Sequence, residues 1–425
     1  MRASRLTSCP GFAFRTEKFN GFMSGPANIK RVDYAHSNDE LMTINMGPVH
    51  PSTHGVLRLI LDLDGETIVR CEPVIGYLHS GKEKLAENRT YHQFIPYTDR
   101  LDYMSPMSNN YCYVHTLEKM YGIEETERCQ WLRMMLCELA RISSHLLGVG
   151  SMVMDLGAIT PFLYTFRERE KLYDIFELIS GARFTVSYMR VGGVARDADD
   201  EFLAAVKKFN DEFPEKLKEV DTLLTKNEIF IQRLKGVGVL KPEDAIDLSI
   251  SGSTLRGSGV DWDIRRDNPY LKYNDVDWDV ITDKGCDCYA RYIVRMKEML
   301  ESVKIITQCL ERLPAGPVNV DNPKVIFPPK EKVKNSMESL IHHFMLASEG
   351  MIPPVGEAMH TIEAPKGELQ FYCVSDGSPR PLRTRVRTPS FYNMWAMEKI
   401  SVGHLVGDMV AIIGSLDIVL GEIDR

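Results

Sequence analysis

The sequence predicts a mainly helical α+β protein, in which a large helical bundle is flanked by a small N-terminal β-sheet and short C-terminal strands. Three observations support this prediction. Long apolar stripes recur at helical spacing through the middle of the chain. Two alternating runs near the start are joined by the turn dipeptide Asp64-Gly65. Strand-like runs return after residue 355.

The N-terminal segment, residues 1–40, is expected to form a flexible extension. It carries three arginines and no acidic residue before Glu17, which gives it a faint resemblance to a transit peptide. It lacks an apolar helical face, contains Pro10, and includes Met23 as a second plausible start. We therefore favour a bacterial extension or a misplaced start codon over an import signal.

The compact part is predicted to span residues 41–425, beginning with a sheet over residues 41–75. Residues 41–46, 56–63 and 67–74 alternate as strands do, and Asp64-Gly65 closes a hairpin. A polar loop between the first two strands carries His50 and His54.

The helical bundle is predicted over residues 105–313. Trp131, Met135, Leu139, Ile142 and Leu146 form one apolar stripe, with Arg133, Arg141 and His145 on another face of the same helix. Residues 164–179 and 202–224 are further predicted helices. The clearest stripe runs from Tyr292 to Leu313 and ends before Pro314.

The C-terminal region, residues 355–425, is predicted to contain strands at 357–374 and 383–388 followed by a tail. Residues 314–329, rich in proline and asparagine, are expected to be a surface crossover. Arg383, Arg385 and Arg387 alternate along one strand face, which indicates either a solvated surface or a site for an anion or an acidic partner.

Composition excludes several classes of protein. A net charge of −8 argues against nucleic-acid binding. The nine cysteines are scattered and contain no Cys-x-x-Cys, so this chain alone is predicted to hold no metal and no cysteine-ligated cluster. No apolar run approaches the roughly 20 residues of a membrane-spanning helix. Nucleotide-binding glycine fingerprints are also missing, so NAD or flavin chemistry is expected in another chain.

Three short motifs can carry chemistry, and each also has a plain structural interpretation. His54 and His50 are loop imidazoles that can exchange protons near neutral pH, or simply hydrogen-bonded loop residues. Tyr103, after Arg100 and Asp102, is either a donor to a carbonyl oxygen or part of a turn that leads into a helix. Asp155, at the end of an apolar helix, is either the partner of a histidine or a helix-terminal cap.

Long sequence blocks resemble a known family. They are NMGPVHPSTHGVLRL, EPVIGYLHSGKEKLAENRTY, IPYTDRLDY, ELARISSHLLGVGSMVMDLGAITPF, FRERE, MRVGGV, LRGSGVDWDIR, EAPKGEL and DMVAIIGSLDIVLGEIDR. The chain resembles, over residues 41–425, the D or 49-kDa subunit of respiratory complex I, the NADH:quinone oxidoreductase. That family is similar to the large subunit of nickel-iron hydrogenases, whose metal-binding cysteines would fall at residues 100–105 and 417–422. Neither segment contains a cysteine.

The resemblance implies a peripheral-arm subunit that forms the quinone-reduction site and couples quinone reduction to proton translocation. The family's quinone-holding tyrosine and histidine fall on Tyr103 and His54, and the aspartate partner of the histidine falls on Asp155. His50, Arg100, Asp102 and Thr185 would lie in the quinone pocket or near the terminal cluster. Thr185 stands where many members have a histidine that makes the cluster potential pH-dependent, which predicts a weaker dependence here.

No cofactor is expected in this chain. The resemblance implies an adjacent [4Fe-4S] cluster in a B-type partner subunit, with FMN and NADH elsewhere in the complex. The other implied partners are C-type and I-type peripheral-arm subunits and a membrane-arm H-type subunit, with quinone as substrate and no nucleic acid. The implied location is the cytoplasmic face of a bacterial cell membrane.

Two alternatives remain open at the level of sequence. One is the large subunit of a related hydrogenase-like complex that does not use NADH, because the electron donor is not encoded here. The other is a non-catalytic scaffold for the cluster carrier.

Overall fold

The computed structural model of the chain describes residues 41–48 and 56–425. The expected N-terminal extension and the loop residues His50 and His54 lie outside the described residues. The observed α+β, mainly helical architecture confirms the predicted fold class.

A three-stranded antiparallel sheet begins the described chain. Its strands are β1 (Met42–Met46), β2 (Arg58–Asp64) and β3 (Thr67–Val74), in the order β1-β2-β3. Asp64 pairs with Thr67 across a turn in which Gly65 adopts a φ of 61°, a conformation that favours glycine. Alternate residues of the second strand are buried, which explains why its polar–apolar alternation predicted it correctly.

Helices then dominate up to residue 312. The first five are α1 (Lys82–Asn88), α2 (Tyr91–Thr98), α3 (Pro106–Tyr121), α4 (Glu127–Asp155) and α5 (Ile159–Ser180). A two-residue ladder, β4 (Met189–Arg190) with β5 (Gly193–Val194), precedes α6 (Asp200–Leu224). Short helices follow at α7 (Glu228–Leu234), α8 (Pro242–Asp247), α9 (Gly252–Arg256) and α10 (Ile264–Asp267), with a 3₁₀ turn at Tyr273–Asp275. The long α11 (Cys288–Arg312) closes this region, as the apolar stripe predicted.

The centre of the bundle is α4, which packs against α5, α11 and a later helix, α15 (Val406–Leu416). Every residue from Trp131 to Val153 is buried, including the face that carries Arg133, Arg141 and His145. A helix buried all round must pair its charges internally. That requirement governs much of the site described below.

The C-terminal part contains more helix than the sequence predicted. After a coil over residues 313–329 come α12 (Lys330–Asn335) and α13 (Met337–Ser348). The antiparallel strands β6 (Gly356–Ala364), β7 (Gly367–Ser375) and β8 (Arg383–Arg387) follow in that order. The chain then continues through α14 (Pro389–Ile400), α15 and α16 (Leu420–Asp424).

The turn between β6 and β7 reaches into the protein. Lys366, at the tip of this hairpin, is only 2% exposed. A side chain on Gly252 would approach the Cα of Gly367 to 2.5 Å, so the backbone of α9 packs directly against the hairpin. The hairpin thereby delivers a lysine to the interior.

Two expectations about chemistry can be compared with the described residues. Their eight cysteines are free, and seven of them are buried. Across residues 41–48 and 56–425, no helix combines the length and apolar character needed to cross a bilayer.

Candidate active site

The two segments that correspond to the hydrogenase metal-binding positions meet in space. Residues 100–105 connect α2 to α3, and residues 417–422 connect α15 to α16. The Lys82 ammonium donates to the carbonyl oxygens of Arg100 at 2.7 Å and Gly421 at 3.0 Å. A Cβ on Gly421 would lie 2.9 Å from the Leu101 carbonyl oxygen and 3.1 Å from Cε1 of Tyr103. Only glycine permits so close an approach.

Buried charges occupy the junction between these segments. Lys366 Nζ lies 3.0 Å from Asp417 Oδ2, and the Arg295 guanidinium lies 4.0 Å from the same oxygen. A Cβ on Gly148 of α4 would come within 2.8 Å of the Asp417 carboxyl group. The central helix, the hairpin tip and the C-terminal segment therefore converge on one ion pair.

This arrangement does not fit the nickel-iron centre of the related hydrogenases. Thiolate sulfur is the ligand that such a centre requires. Neither segment supplies one, and Lys366 places a positive charge where a cation would sit. The junction is instead an internal polar cluster.

Asp102 lies in this cluster beneath the neighbouring tyrosine. Its Oδ1 accepts a hydrogen bond from the Met104 amide at 3.0 Å. Burial raises the pKa of its carboxyl group, while the nearby Lys366 charge opposes that rise. Asp102 is thus a supporting acid inside the protein, whereas Tyr103 faces outward.

Tyr103 is half-buried, and its ring packs against Phe184 with centroids 6.2 Å apart. Burial and the charge of Asp102 raise the pKa of the phenol above its ordinary value, so it stays protonated at neutral pH. The phenolic hydroxyl makes no hydrogen bond with any residue that the structure describes. The chain therefore presents a protonated donor that is free to bind a ligand oxygen.

Arg100 and Thr185, singled out separately in the sequence, lie together. Arg100 Nη2 donates to Thr185 Oγ1 at 3.5 Å, and Nη1 donates to the Pro96 carbonyl oxygen at 2.7 Å. The Arg100 side chain is 51% exposed, which leaves much of the guanidinium available. This edge carries a positive charge beside the exposed ring of Phe184.

The loop that carries Thr185 is fixed by Asp99. The carboxylate of Asp99 accepts a hydrogen bond from the Ser187 amide at 2.8 Å. Burial raises the pKa of Asp99 to about 7, although this hydrogen bond and Arg100 oppose the shift. Asp99, to which no sequence motif pointed, therefore aligns the loops on both sides of Tyr103.

Asp155 is the last residue of α4 and is half-buried. It follows Gly148 by seven residues, a rise of about 10 Å along the helix axis. One helix thus joins Asp155 to the charge cluster. Its predicted partner, His54, and His50 lie outside the described residues.

A buried ion network that the sequence did not predict supports the bundle around this site. Glu298 of α11 accepts from His145 Nε2 at 2.9 Å and from Arg256 Nε at 2.8 Å. Arg256 Nη1 also lies 2.8 Å from Glu363, at the end of β6. The helical spacing of Arg133, Arg141 and His145 was a usable signal, but their carboxylate partners are too distant in sequence to be inferred.

The arginine strand is also placed. Arg383 pairs with Glu87 at 2.9 Å and with Glu83 at 3.4 Å, and Arg387 pairs with Glu368 at 3.3 Å. Two of the three alternating arginines therefore bind acidic residues of the same chain.

Comparison with known proteins agrees with the geometry of the junction. The family model described as the 49-kDa subunit of respiratory-chain NADH dehydrogenase matches residues 155–425. The chain belongs to this family. Membership makes the chain a subunit of an oxidoreductase complex.

Full-length relatives extend the match beyond that region. A relative from Geotalea uraniireducens, named as the D subunit of NADH-quinone oxidoreductase, is 56% identical over 389 residues, which cover 92% of this chain and 100% of the relative. The D subunit from Geobacter sulfurreducens is 54% identical over the same shares of both chains. A protein of the same description from Chloroherpeton thalassium is 54% identical over 91% of this chain and 88% of its own.

Proposed function

We propose that this chain forms the quinone-reduction site of a proton-translocating NADH:quinone oxidoreductase. The observation that carries the proposal is Tyr103: a half-buried, protonated phenol with no hydrogen bond to any described residue, set at the junction of residues 100–105 and 417–422. A quinone carbonyl oxygen requires such a donor, because charge develops on that oxygen as electrons arrive.

His54 and Asp155 complete the proposed chemistry. Reduction of a quinone to a quinol consumes two electrons and two protons, so each carbonyl oxygen needs its own proton donor. Tyr103 donates to one oxygen and His54 to the other. Asp155 orients and reprotonates the imidazole, since a carboxylate fixes the tautomer of a neighbouring histidine and raises its basicity. Movement of the loop that carries His54, with His50 beside it, would gate the site.

Electrons are proposed to come from a [4Fe-4S] cluster in a B-type partner subunit. The exposed guanidinium of Arg100 supports this placement, because a nearby positive charge stabilises a reduced, more negative cluster. Asp99 and Thr185 hold the loops around Arg100 in place. FMN and NADH would bind elsewhere in the complex.

The remaining partners follow from the same proposal. C-type and I-type subunits would complete the peripheral arm, and an H-type subunit would join it to the membrane. The chain would sit at the cytoplasmic face of a bacterial cell membrane.

The test is a pair of variants in the assembled complex, Tyr103→Phe and His54→Ala. Each should lower NADH:quinone reductase activity by about 100-fold or more, the scale of a lost acid–base group. NADH oxidation by an artificial acceptor that bypasses the quinone site should be unchanged. Full quinone reductase activity in both variants would favour a purely structural role, and a purified complex without NADH-oxidising subunits would favour another electron donor.

A further inference from the structure

A second cluster of ionisable side chains lies at the far end of α3. His115 is nine residues into the helix, roughly 14 Å from its N-terminus, and Glu118 follows one turn later. Glu125 lies in the loop between α3 and α4. His115 Nδ1 is 2.5 Å from Glu125 Oε1 and 3.3 Å from Glu118 Oε2. The three atoms lie within 4.8 Å of one another, a spacing that one metal ion can bridge.

Arg133 holds the two carboxylates in place. Its Nη1 lies 2.9 Å from Glu118 Oε2 and 2.8 Å from Glu125 Oε1, the two oxygens that face His115. A carboxylate oxygen has two lone pairs, so it can accept from a guanidinium and still bind a metal ion. Metal-ligating carboxylates are usually hydrogen-bonded in this way by an outer shell of residues.

Two buried atoms in this region have no hydrogen-bond partner among the described residues. One is Glu125 Oε2, on a side chain that is 2% exposed. The other is Nε2 of His360, a residue that is 5% exposed and whose ring centroid lies 4.3 Å from that of His115. Lys119 donates to Nδ1 of His360 at 3.0 Å, which leaves the hydrogen of the neutral ring on Nε2. The cluster thus contains a spare acceptor and a spare donor, each of which needs a partner.

Charge also favours a cation. Glu118 and Glu125 carry two negative charges, and Arg133 supplies one positive charge. Protonated His115 completes the balance in the absence of a metal ion. A divalent ion would replace the proton on Nδ1, which leaves for solvent through the exposed edge of His115, whose side chain is 21% accessible.

We propose that His115, Glu118 and Glu125 bind one divalent transition-metal ion, with Zn²⁺ the best match. One imidazole nitrogen and two carboxylate oxygens suit zinc, whereas Mg²⁺ and Ca²⁺ prefer oxygen ligands alone. A water molecule completes the coordination and accepts from His360 Nε2. The site is separate from the proposed quinone chemistry and links α3 to the loop that leads into α4.

The test measures Zn²⁺ binding to the full chain by calorimetry, in a background that carries His50→Gln and His54→Gln so that this histidine pair cannot contribute. We expect one equivalent to bind. His115→Gln and Glu125→Gln should each weaken binding by more than about 100-fold, and His360→Phe by about tenfold, as for loss of an outer-shell partner. Far-UV circular dichroism would establish that each variant is folded.

His343→Gln, on the exposed surface of α13, is the matched control and should bind zinc like the background chain. Substitution with Co²⁺ separates this site from the cysteines, because a site of nitrogen and oxygen ligands lacks the near-ultraviolet absorption of a cobalt–thiolate bond. Three results would overturn the proposal: no saturable binding, a thiolate absorption band, or affinity that His115→Gln and Glu125→Gln leave unchanged in a folded chain.

Discussion

At the scale of single residues, the site depends on how burial separates acids from donors. Asp102 is buried and Tyr103 is half-buried, although they are adjacent in the chain. The charge of Asp102 helps to keep the phenol protonated, because it raises the pKa of Tyr103. The sequence order Arg100-Leu101-Asp102-Tyr103 therefore produces an outward cation, an inward acid and an outward donor.

Thr185 allows a direct test at this scale. We expect the potential of the neighbouring cluster to depend weakly on pH in the natural chain, because the threonine hydroxyl does not titrate near neutrality. Thr185→His should introduce a titratable group there and raise the dependence toward about 59 mV per pH unit, the limit for one proton per electron. Redox titration of the assembled complex at several pH values, monitored by electron paramagnetic resonance, measures the slope.

Thr185→Ser, which keeps the hydroxyl beside Arg100, is the control and should retain the weak slope. A steep slope in the natural chain would refute this account of Thr185.

At the scale of helices and strands, α4 and α11 are joined by charge as well as by apolar packing. Glu298 is the shared acceptor for His145 and Arg256. Removal of one member of a buried ion group leaves the others buried without compensation, which is more costly than loss of an exposed pair.

Glu298→Ala should therefore lower the free energy of unfolding of the full chain by about 3–5 kcal/mol, seen as a large fall in melting temperature. Glu311→Ala, at an exposed position on the same helix, should change it by less than about 0.5 kcal/mol. Equal melting temperatures for the two variants would show that the buried network does not stabilise the bundle.

The C-terminal helix α16 predicts a pH effect. Burial and the charge of Asp102 raise the pKa of Glu422 from 4.5 to about 8. Between these values the folded protein keeps a proton that the unfolded chain has lost, so stability falls as pH rises through this window. Glu422→Gln preserves the acceptor for the Ser390 amide but cannot ionise.

The melting temperature of Glu422→Gln should thus fall less than that of the natural chain between pH 5 and 8. Glu311→Gln supplies the comparison at an exposed position and should follow the natural chain. Parallel curves for the natural chain and Glu422→Gln would contradict the assigned pKa shift.

Local patterns predicted some elements and missed others for physical reasons. β3 and the C-terminal cap of α5 at Gly181 follow from alternation and from glycine, which are local signals. α15 has hardly any polar residue on its buried faces, so its sequence carries no amphipathic period that separates helix from strand. The pairing of Lys366 with Asp417 joins a hairpin tip to a distant loop, and nothing near either residue specifies it.

The candidate site divides in the same way. Tyr103, Asp155 and Arg100 were found because residue type and family resemblance coincide at those positions. Asp99 was missed because its role arises only when the loop at Ser187 folds against it.

At the scale of the whole molecule, the helices around α4 form a frame that holds residues 100–105 and 417–422 against each other. Charges that would be costly in isolation are paired inside this frame, and the phenol of Tyr103 is left at its edge. The proposed quinone site is therefore a surface of this chain that a cluster-bearing neighbour would complete.

The most direct test of that claim is the rate at which quinone reoxidises the terminal cluster in the assembled Tyr103→Phe complex, followed by freeze-quench electron paramagnetic resonance after reduction with NADH. We predict that the cluster is reduced as in the natural complex but reoxidised by quinone about 100-fold or more slowly, because a proton donor is missing. Reoxidation at the natural rate would contradict the assignment of Tyr103 to the quinone.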